Sequence, residues 1–331
     1  MIALALLRTT VSKMPADTRQ PTVLLADDDA VMLKATSRAL ASDFHVVATV
    51  TDGQQALDAV RRLDPDVAVL DISMPGLNGF QTAAELQRSG TRAKTVFLTT
   101  HQDDDFVATA ISSGAMGYVL KTRAWSDIIP AVHHALAGRQ CLPSLAPLVL
   151  AGMDAHAVQF QGDDSSSLDR AADVLSRALH RGDIVVTALI ESNRGAIALR
   201  MNERGWNLAD LRARGRYLVV DAEDAATKVL RAGWPHPGAI AEMVAALENA
   251  RAASPAGPRS HLTIVGEIAG VLCRRGNPEA ALELERLWDA LTRSLRILTV
   301  CMYSADDAHQ HREREFVSGI SAHHSVITRR A

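Results

Sequence analysis

The chain has 331 residues, 47% of them hydrophobic and 22% charged, and a formal net charge of −3. At roughly 100–200 residues per domain the length suggests two domains. The composition excludes wholesale disorder, and the charge balance excludes a chain-wide basic surface for nucleic acid. Aromatics make up only 4%, so the cores must be built from Ala, Leu, Val and Ile, which favours α/β layers. Cys141, Cys273 and Cys301 are far apart with no CxxC pair, a pattern that fits a reducing compartment better than a disulfide framework.

The apolar run from Ile2 to Leu7 is shorter than the ~7–15 residues of a signal core or the ~20 of a membrane helix. Residues 1–20 therefore read as a disordered extension, with Met14 an alternative start, and the expected location is cytoplasmic with no membrane contact. From Thr22 onward short apolar runs alternate with helical patterns. Strands are predicted at 23–26, 45–50, 67–70, 95–98 and 118–120, and helices at about 30–41, 54–62, 80–88, 104–113 and 126–137. Runs apolar on both faces and separated by amphipathic helices imply a parallel sheet covered on both sides. One domain is expected over 21–140 and a linker over 141–154, where Pro143 and Pro147 break any period. A second α/β domain over 155–328 has expected strands at 157–160, 184–190, 217–220, 264–265 and 297–300. Its helices are expected from Asp164 to about 180, then at about 239–252, 268–274 and 278–294. The tail beyond 308 is polar and carries His309, His311, Arg312, Arg314, Arg329 and Arg330.

Each strand of the first domain runs into a distinctive polar residue. They are Asp27-Asp28-Asp29, Asp71, Thr99-Thr100 and Lys121. Ligands of open parallel sheets bind beyond the carboxyl ends of the strands, so these side chains converge on one cleft. Three carboxylates at close quarters repel, and a hard divalent cation such as Mg²⁺ removes the conflict. With Lys121 as a compact positive charge and Thr99 as a hydroxyl donor, the set describes a site for a transferable phosphoryl group. Taken singly the same residues are unremarkable: Asp28 or Asp29 fits a helix N-cap, and Asp103-Asp104-Asp105 fits a helix N-terminus.

The stretches Leu25 to Asp29, Val69 to Gly79, Leu98-Thr99 and Gly114 to Lys121 resemble the receiver domain of two-component response regulators, a flavodoxin-like (βα)5 fold with a parallel five-stranded sheet. The resemblance implies that Asp71 is the phosphoacceptor. It implies Mg²⁺ held by Asp28, by Asp27 largely through water, by Asp71 and by the backbone carbonyl of Ser73. Thr99 becomes the switch hydroxyl, Lys121 the phosphate counter-charge and Tyr118 the aromatic switch. One departure is Thr122, where many receivers carry a proline after the lysine. The implied partner is a sensor histidine kinase or phosphotransfer protein, and a homodimer through the fourth helix, fifth strand and fifth helix is expected.

The second half has no G-x-x-x-x-G-K-[ST] loop, so nucleotide hydrolysis has no machinery there and the protein is not expected to be an enzyme beyond handling its own phosphoryl group. Its motifs include His156 to Phe160, Leu179 to Asp183, Val265-Gly266-Glu267, Gly276 to Trp288, Cys301-Met302-Tyr303 and His324-Ser325-Val326. These resemble the MEDS family, a sensory domain of methanogen and methylotroph regulators. The resemblance implies a RecA-like or KaiC-like α/β domain that senses a small molecule. His156, Glu267, Cys301 and Tyr303 are candidates to line its pocket, and Trp288 reads as core packing. Cys301 with His309 and His311 is not a recognised zinc spacing. Arg212-Ala213-Arg214-Gly215-Arg216 and the basic tail leave a DNA-binding transcription regulator as the alternative function.

Overall fold

The computed structural model describes residues 19–143, 146–150, 152–160, 166–257, 259–293, 295–304, 319–321 and 323–328. The N-terminal extension to residue 18, Met14 within it, Asp164, His309, His311, Arg312, Arg314, Arg329 and Arg330 lie outside the described residues.

The first half runs β1 (Thr22–Ala26), α1 (Ala30–Leu40), β2 (His45–Val50), α2 (Gly53–Leu63), β3 (Val67–Leu70), α3 (Gly79–Arg88), β4 (Lys94–Thr99), α4 (Asp104–Ser112), β5 (Gly117–Leu120) and α5 (Ala124–Leu136). Short polar side chains start the first three of these helices. Asp29 accepts from the amides of Val31 and Met32, Asp52 from Gln55, and Asn78 and Gln81 close a capping box. Every residue of β3 is buried, as its unbroken apolar run requires of a central parallel strand.

The segment expected as a linker is structured. It holds β6 (Gln140–Leu142) and α6 (Ala146–Leu150). After it come β7 (Ala155–Phe160), α7 (Ser166–Arg181), β8 (Ile184–Leu189), α8 (Glu191–Glu203), α9 (Leu208–Ala213), β9 (Tyr217–Asp221), α10 (Ala222–Lys228), β10 (Leu230–Arg231) and β11 (Trp234–Pro235). The chain continues through α11 (Pro237–Ala253), β12 (Leu262–Gly266), α12 (Ile268–Arg274), α13 (Pro278–Thr292), β13 (Ile297–Tyr303) and β14 (Val326–Thr328). Asn277 caps α13 ahead of Pro278 in its first turn, and the Trp288 indole is buried, donating to Thr299 Oγ1.

The two halves share a single sheet. Twelve strands lie in the order β2-β1-β3-β4-β5-β6-β14-β7-β13-β12-β8-β9, and all the pairings within that sheet are parallel. The strand latest in sequence, β14, is therefore inserted near the middle. Ser325 fastens its start on both sides, since the Gln140 amide donates to the Ser325 carbonyl and the Ser325 amide donates to the His156 carbonyl, each at 2.8 Å. Without β6 and β14, the edges of β5 and β7 would expose unpaired backbone groups.

Helices join the halves as well. One apolar cluster runs from Val107, Ala110 and Ile111 of α4 through Leu148 and Val149 of α6 to Ala171 and Leu175 of α7. Arg177 of α7 reaches Asp104 at the head of α4 at 2.6 Å. The face expected to form a homodimer is thus partly covered within the chain, α4 by α6 and the β5 edge by β6. No helix among the described residues is long and apolar enough to cross a membrane.

Candidate functional site

The carboxyl ends of β1, β3, β4 and β5 bring Asp27, Asp71, Thr99 and Lys121 together. Asp27 and Asp71 are buried and Asp28 is exposed, yet oxygens of all three carboxylates lie within 4.8 Å of one another. Lys121 Nζ sits 2.8 Å from Asp27 Oδ2 and 2.8 Å from Asp71 Oδ2. Burial pushes the Asp27 carboxyl above its ordinary range, against the pull of Lys121 and of the Asp29 amide. Burial would also lower the Lys121 ammonium, but the two aspartates hold it above its usual value. Asp27 Oδ2 meets the Lys121 ammonium without an aligned hydrogen bond, so one ammonium serves two buried carboxylates with a third, Asp28, beside them. That donor set fits a hard divalent cation.

Thr99 is fully buried, and its Oγ1 accepts the His101 amide at 3.3 Å. Tyr118 is also buried, and its hydroxyl donates to the His101 carbonyl at 3.1 Å. Burial, with Asp103 and Asp71 nearby, pushes that phenol upward. Ser73 lies two residues beyond Asp71 and meets His101 Nε2 at 2.9 Å, while the imidazole stacks on Phe106 at 4.1 Å. His101 thus bridges the loops after β3 and β4, a role with no signal in the sequence because only the fold brings residue 101 over residue 73. Thr122 lies in a single 3-10 turn, Lys121–Arg123, that leads into α5.

Gly79 fixes the loop that carries Asp71. Its amide donates to the Ile72 carbonyl at 2.9 Å, and a Cβ there would lie 2.2 Å from the Asp71 carbonyl oxygen. Backbone cannot retreat as a flexible side chain can, so Gly79→Ala is expected to cost about 2–3 kcal/mol. Urea unfolding of the purified variant measures this, and an unchanged midpoint would contradict the contact.

In the second half, His156, Cys301 and Tyr303 gather in one hydrogen-bonded cluster, and Glu267 stands outside that cluster on the wall of the adjoining cavity. Glu267 accepts the Ile190 amide at 2.8 Å and the Asn193 side chain, and so ties the end of β12 to the start of α8. Two residues outside the predicted set complete the cluster, Glu285 of α13 and His324 just before β14. His156 Nε2 lies 3.0 Å from Glu285 Oε2 and 3.3 Å from Cys301 Sγ. Cys301 Sγ is 3.4 Å from Glu285 Oε2, and His324 Nε2 is 3.6 Å from the same oxygen. The Tyr303 hydroxyl donates to Glu285 Oε1. A signal for Glu285 did exist, because it falls on the face of α13 that also buries Leu284 and Trp288, where an unpaired acid does not belong. Glu267, Glu285, Cys301 and Tyr303 share the wall of a mostly apolar cavity of about 60 Å³ with Met243, Leu247 and Trp288.

The profile of the response regulator receiver domain matches residues 23–133, and that of the MEDS domain (methanogen/methylotroph, DcmR sensory domain) matches residues 155–318. The chain is 32% identical over 161 residues to the nitrate/nitrite response regulator protein NarL of Escherichia coli (strain K12), a match covering 47% of this chain and 74% of that protein. It is 27% identical over 199 residues to the transcriptional regulatory protein DesR of Bacillus subtilis (strain 168), covering 56% of this chain and 98% of the relative. Among solved structures, the response regulator domain of Thermotoga maritima CheB is similar with a TM-score of 0.34 at 23% identity, covering 36% of this chain and 97% of that one.

Proposed function

The chain belongs to the response-regulator family, a receiver domain joined to a MEDS domain, and from that premise we propose that Asp71 accepts a phosphoryl group from a histidine kinase or phosphotransfer protein. The reading rests on one observation above the others, Lys121 Nζ lying 2.8 Å from carboxylates at the ends of both β1 and β3. Asp28, Asp71, the Ser73 carbonyl and, largely through water, Asp27 would hold Mg²⁺, which would supply charge neutralisation for the transferred group. Asp71 attacks phosphorus, the phosphorus–nitrogen bond of the phosphohistidine breaks, and an acyl phosphate forms. Lys121 then pairs with the new phosphate, which adds roughly −2 charge beside it. Thr99 Oγ1 gives up its bond to the His101 amide and donates to a phosphate oxygen, and Tyr118, bonded to the carbonyl of the same residue, follows the loop.

The loop leads into α4, and α4 is already packed on α6 and α7. The signal therefore passes inside the chain to the MEDS half, where a small-molecule ligand sets the second input. A homodimer would need another face or the release of this one. The DNA-binding alternative gains little from the basic cluster, since Arg214 pairs with Asp210 and Arg216 donates to the carbonyls of Leu179 and Asp183.

Two measurements test the reading. Incubation of the full chain with acetyl phosphate and Mg²⁺ is expected to add one base-labile phosphoryl group per molecule, read by intact mass. In the Arg177→Ala variant labelling is expected to persist, and stability to change by about 0.5 kcal/mol or less, because this ion pair is partly exposed. The slowing or quickening of hydrogen exchange in α7 that phosphorylation produces should be lost. If α7 responds to phosphorylation equally well without Arg177, the proposed route is wrong.

A further inference from the structure

The donor atoms of His156, Glu285, Cys301 and His324 lie within 4.8 Å of one another, and one of them is a buried polar atom with no hydrogen-bond partner among the described residues. His156 Nδ1 faces the His323 carbonyl at 3.1 Å, and His324 Nδ1 faces the Ile320 carbonyl at 2.7 Å. Each carbonyl only accepts, so each Nδ1 carries a proton. Glu285 Oε2 accepts the Cys301 thiol at 3.4 Å and stands 3.0 Å from His156 Nε2, whereas His324 Nε2 faces the same oxygen at 3.6 Å. His324 is buried and its Nε2 has no hydrogen-bond partner among the described residues. Protein groups thus serve Glu285 but leave His324 Nε2 unsatisfied. A cation at the centre takes a lone pair from each of the four side chains.

We propose that these four side chains form a zinc site that fixes β14 between the two halves of the sheet. The four recorded separations among the donor atoms run from 3.0 to 3.6 Å. Zinc bonds of ~2.0–2.1 Å to nitrogen or oxygen and ~2.3 Å to sulfur give tetrahedral edges of about 3.3–3.6 Å. Two imidazoles, a thiolate and a carboxylate suit zinc rather than Mg²⁺, which takes only oxygen. The surroundings match as well. Metal-bound histidines usually donate their second N–H to a carbonyl or carboxylate, as both do here, and Tyr303 holds the other Glu285 oxygen. Asp289 Oδ1 lies 3.8 Å from His156 Nδ1 and adds negative charge on the outer side. His156 and His324 also line a cleft of about 400 Å³ with Arg139 and Asp289, which gives the ion an access route.

A Cys–His nucleophile is the competing use of the same residues. The Glu285 carboxylate beside the sulfur opposes the thiolate that such a nucleophile needs, and burial acts in the same direction. A divalent cation reverses that penalty and stabilises the thiolate outright.

Position gives the site its consequence. His324 adjoins Ser325, which bonds to β6 on one side and β7 on the other, while His156, Glu285 and Cys301 belong to the second half. Occupancy by zinc therefore ties the strand that joins the halves to the body of the MEDS domain, and binding and docking stabilise one another.

Chelator-treated full-length protein titrated with Co²⁺ and then Zn²⁺ tests this. One tetrahedral Co²⁺ per chain is expected, with a thiolate-to-cobalt charge-transfer band and intense tetrahedral d–d bands that Zn²⁺ abolishes. The receiver carboxylates can give only weak octahedral bands, so Asp28→Asn leaves the signal intact. Cys301→Ser loses the charge-transfer band, and His324→Ala weakens binding at least about 100-fold. In the unsubstituted protein, Zn²⁺ should slow alkylation of Cys301 and slow hydrogen exchange at Gln140–Leu142 and Val326–Thr328. The proposal is overturned if the unsubstituted protein shows no such band, if the band survives in Cys301→Ser, or if Zn²⁺ changes neither alkylation nor exchange.

Discussion

Asp71→Asn is expected to abolish phosphoryl uptake from acetyl phosphate, with a loss of at least about a thousandfold in labelling rate. The amide is nearly the same size, so the fold survives, but its oxygen carries no charge with which to attack phosphorus. The substitution also removes one of the two anions held by Lys121. The remaining pair, Lys121 with Asp27, keeps the ammonium in place, so a loss of labelling reads the chemistry and not a collapse of the site. Intact mass after incubation with the phosphodonor and Mg²⁺ measures it. Undiminished labelling of the variant would move the phosphoacceptor to another residue and undo the proposed mechanism.

The second large effect concerns the seam. Val326 of β14 faces one apolar cluster and Ile327 the other, as alternation along a strand dictates. Ile327 is 2% exposed, and Ile327→Asp places an unpaired carboxylate among Val158, Tyr303 and Ile320. A cost of about 3–4 kcal/mol is expected, concentrated where the halves join. Hydrogen exchange should quicken at Gln140–Leu142 and Ala155–Phe160 while the strands of the receiver keep their protection and Asp71 its reactivity. Ile327→Val, which only trims a methyl group, should cost about 0.5–1.5 kcal/mol and leave the seam closed. Uniform loss of protection through the receiver in the Asp variant would show that the halves unfold as one unit.

Much of the receiver can be read from residues alone because its strands are apolar on both faces and its first three helices carry capping side chains. The predicted strands and helices fall within a residue or two of β1 to α5. The convergence of Asp27, Asp71 and Lys121 follows from the rule that parallel strands point their carboxyl ends the same way. Where that reasoning loses force, the cause is physical. Helix α8 buries only Ile197 and Met201, too little for a periodic signal. Strands β6 and β14 are three residues long and owe their conformation to each other and to Ser325, not to local preference. Residues 141–154 therefore look like a linker in sequence and turn out to supply a strand and a helix. His156, Cys301 and Tyr303 were legible as site candidates, and Glu285 carried the signal of an acid on a buried helix face, whereas His324 becomes a partner only once β14 docks beside β7. Glu267 lines the cavity with Cys301 and Tyr303 while its carboxylate also braces α8.

The central place of β14 has a consequence for biosynthesis. N-terminal domains fold first as the chain leaves the ribosome, so the receiver can form long before residues 326–328 are made. Until they arrive, β6 and β7 each offer an open backbone edge to any other nascent chain nearby. Prematurely terminated molecules would carry a finished receiver and two adhesive edges, and proteases and chaperones have a clear feature by which to tell them from finished ones.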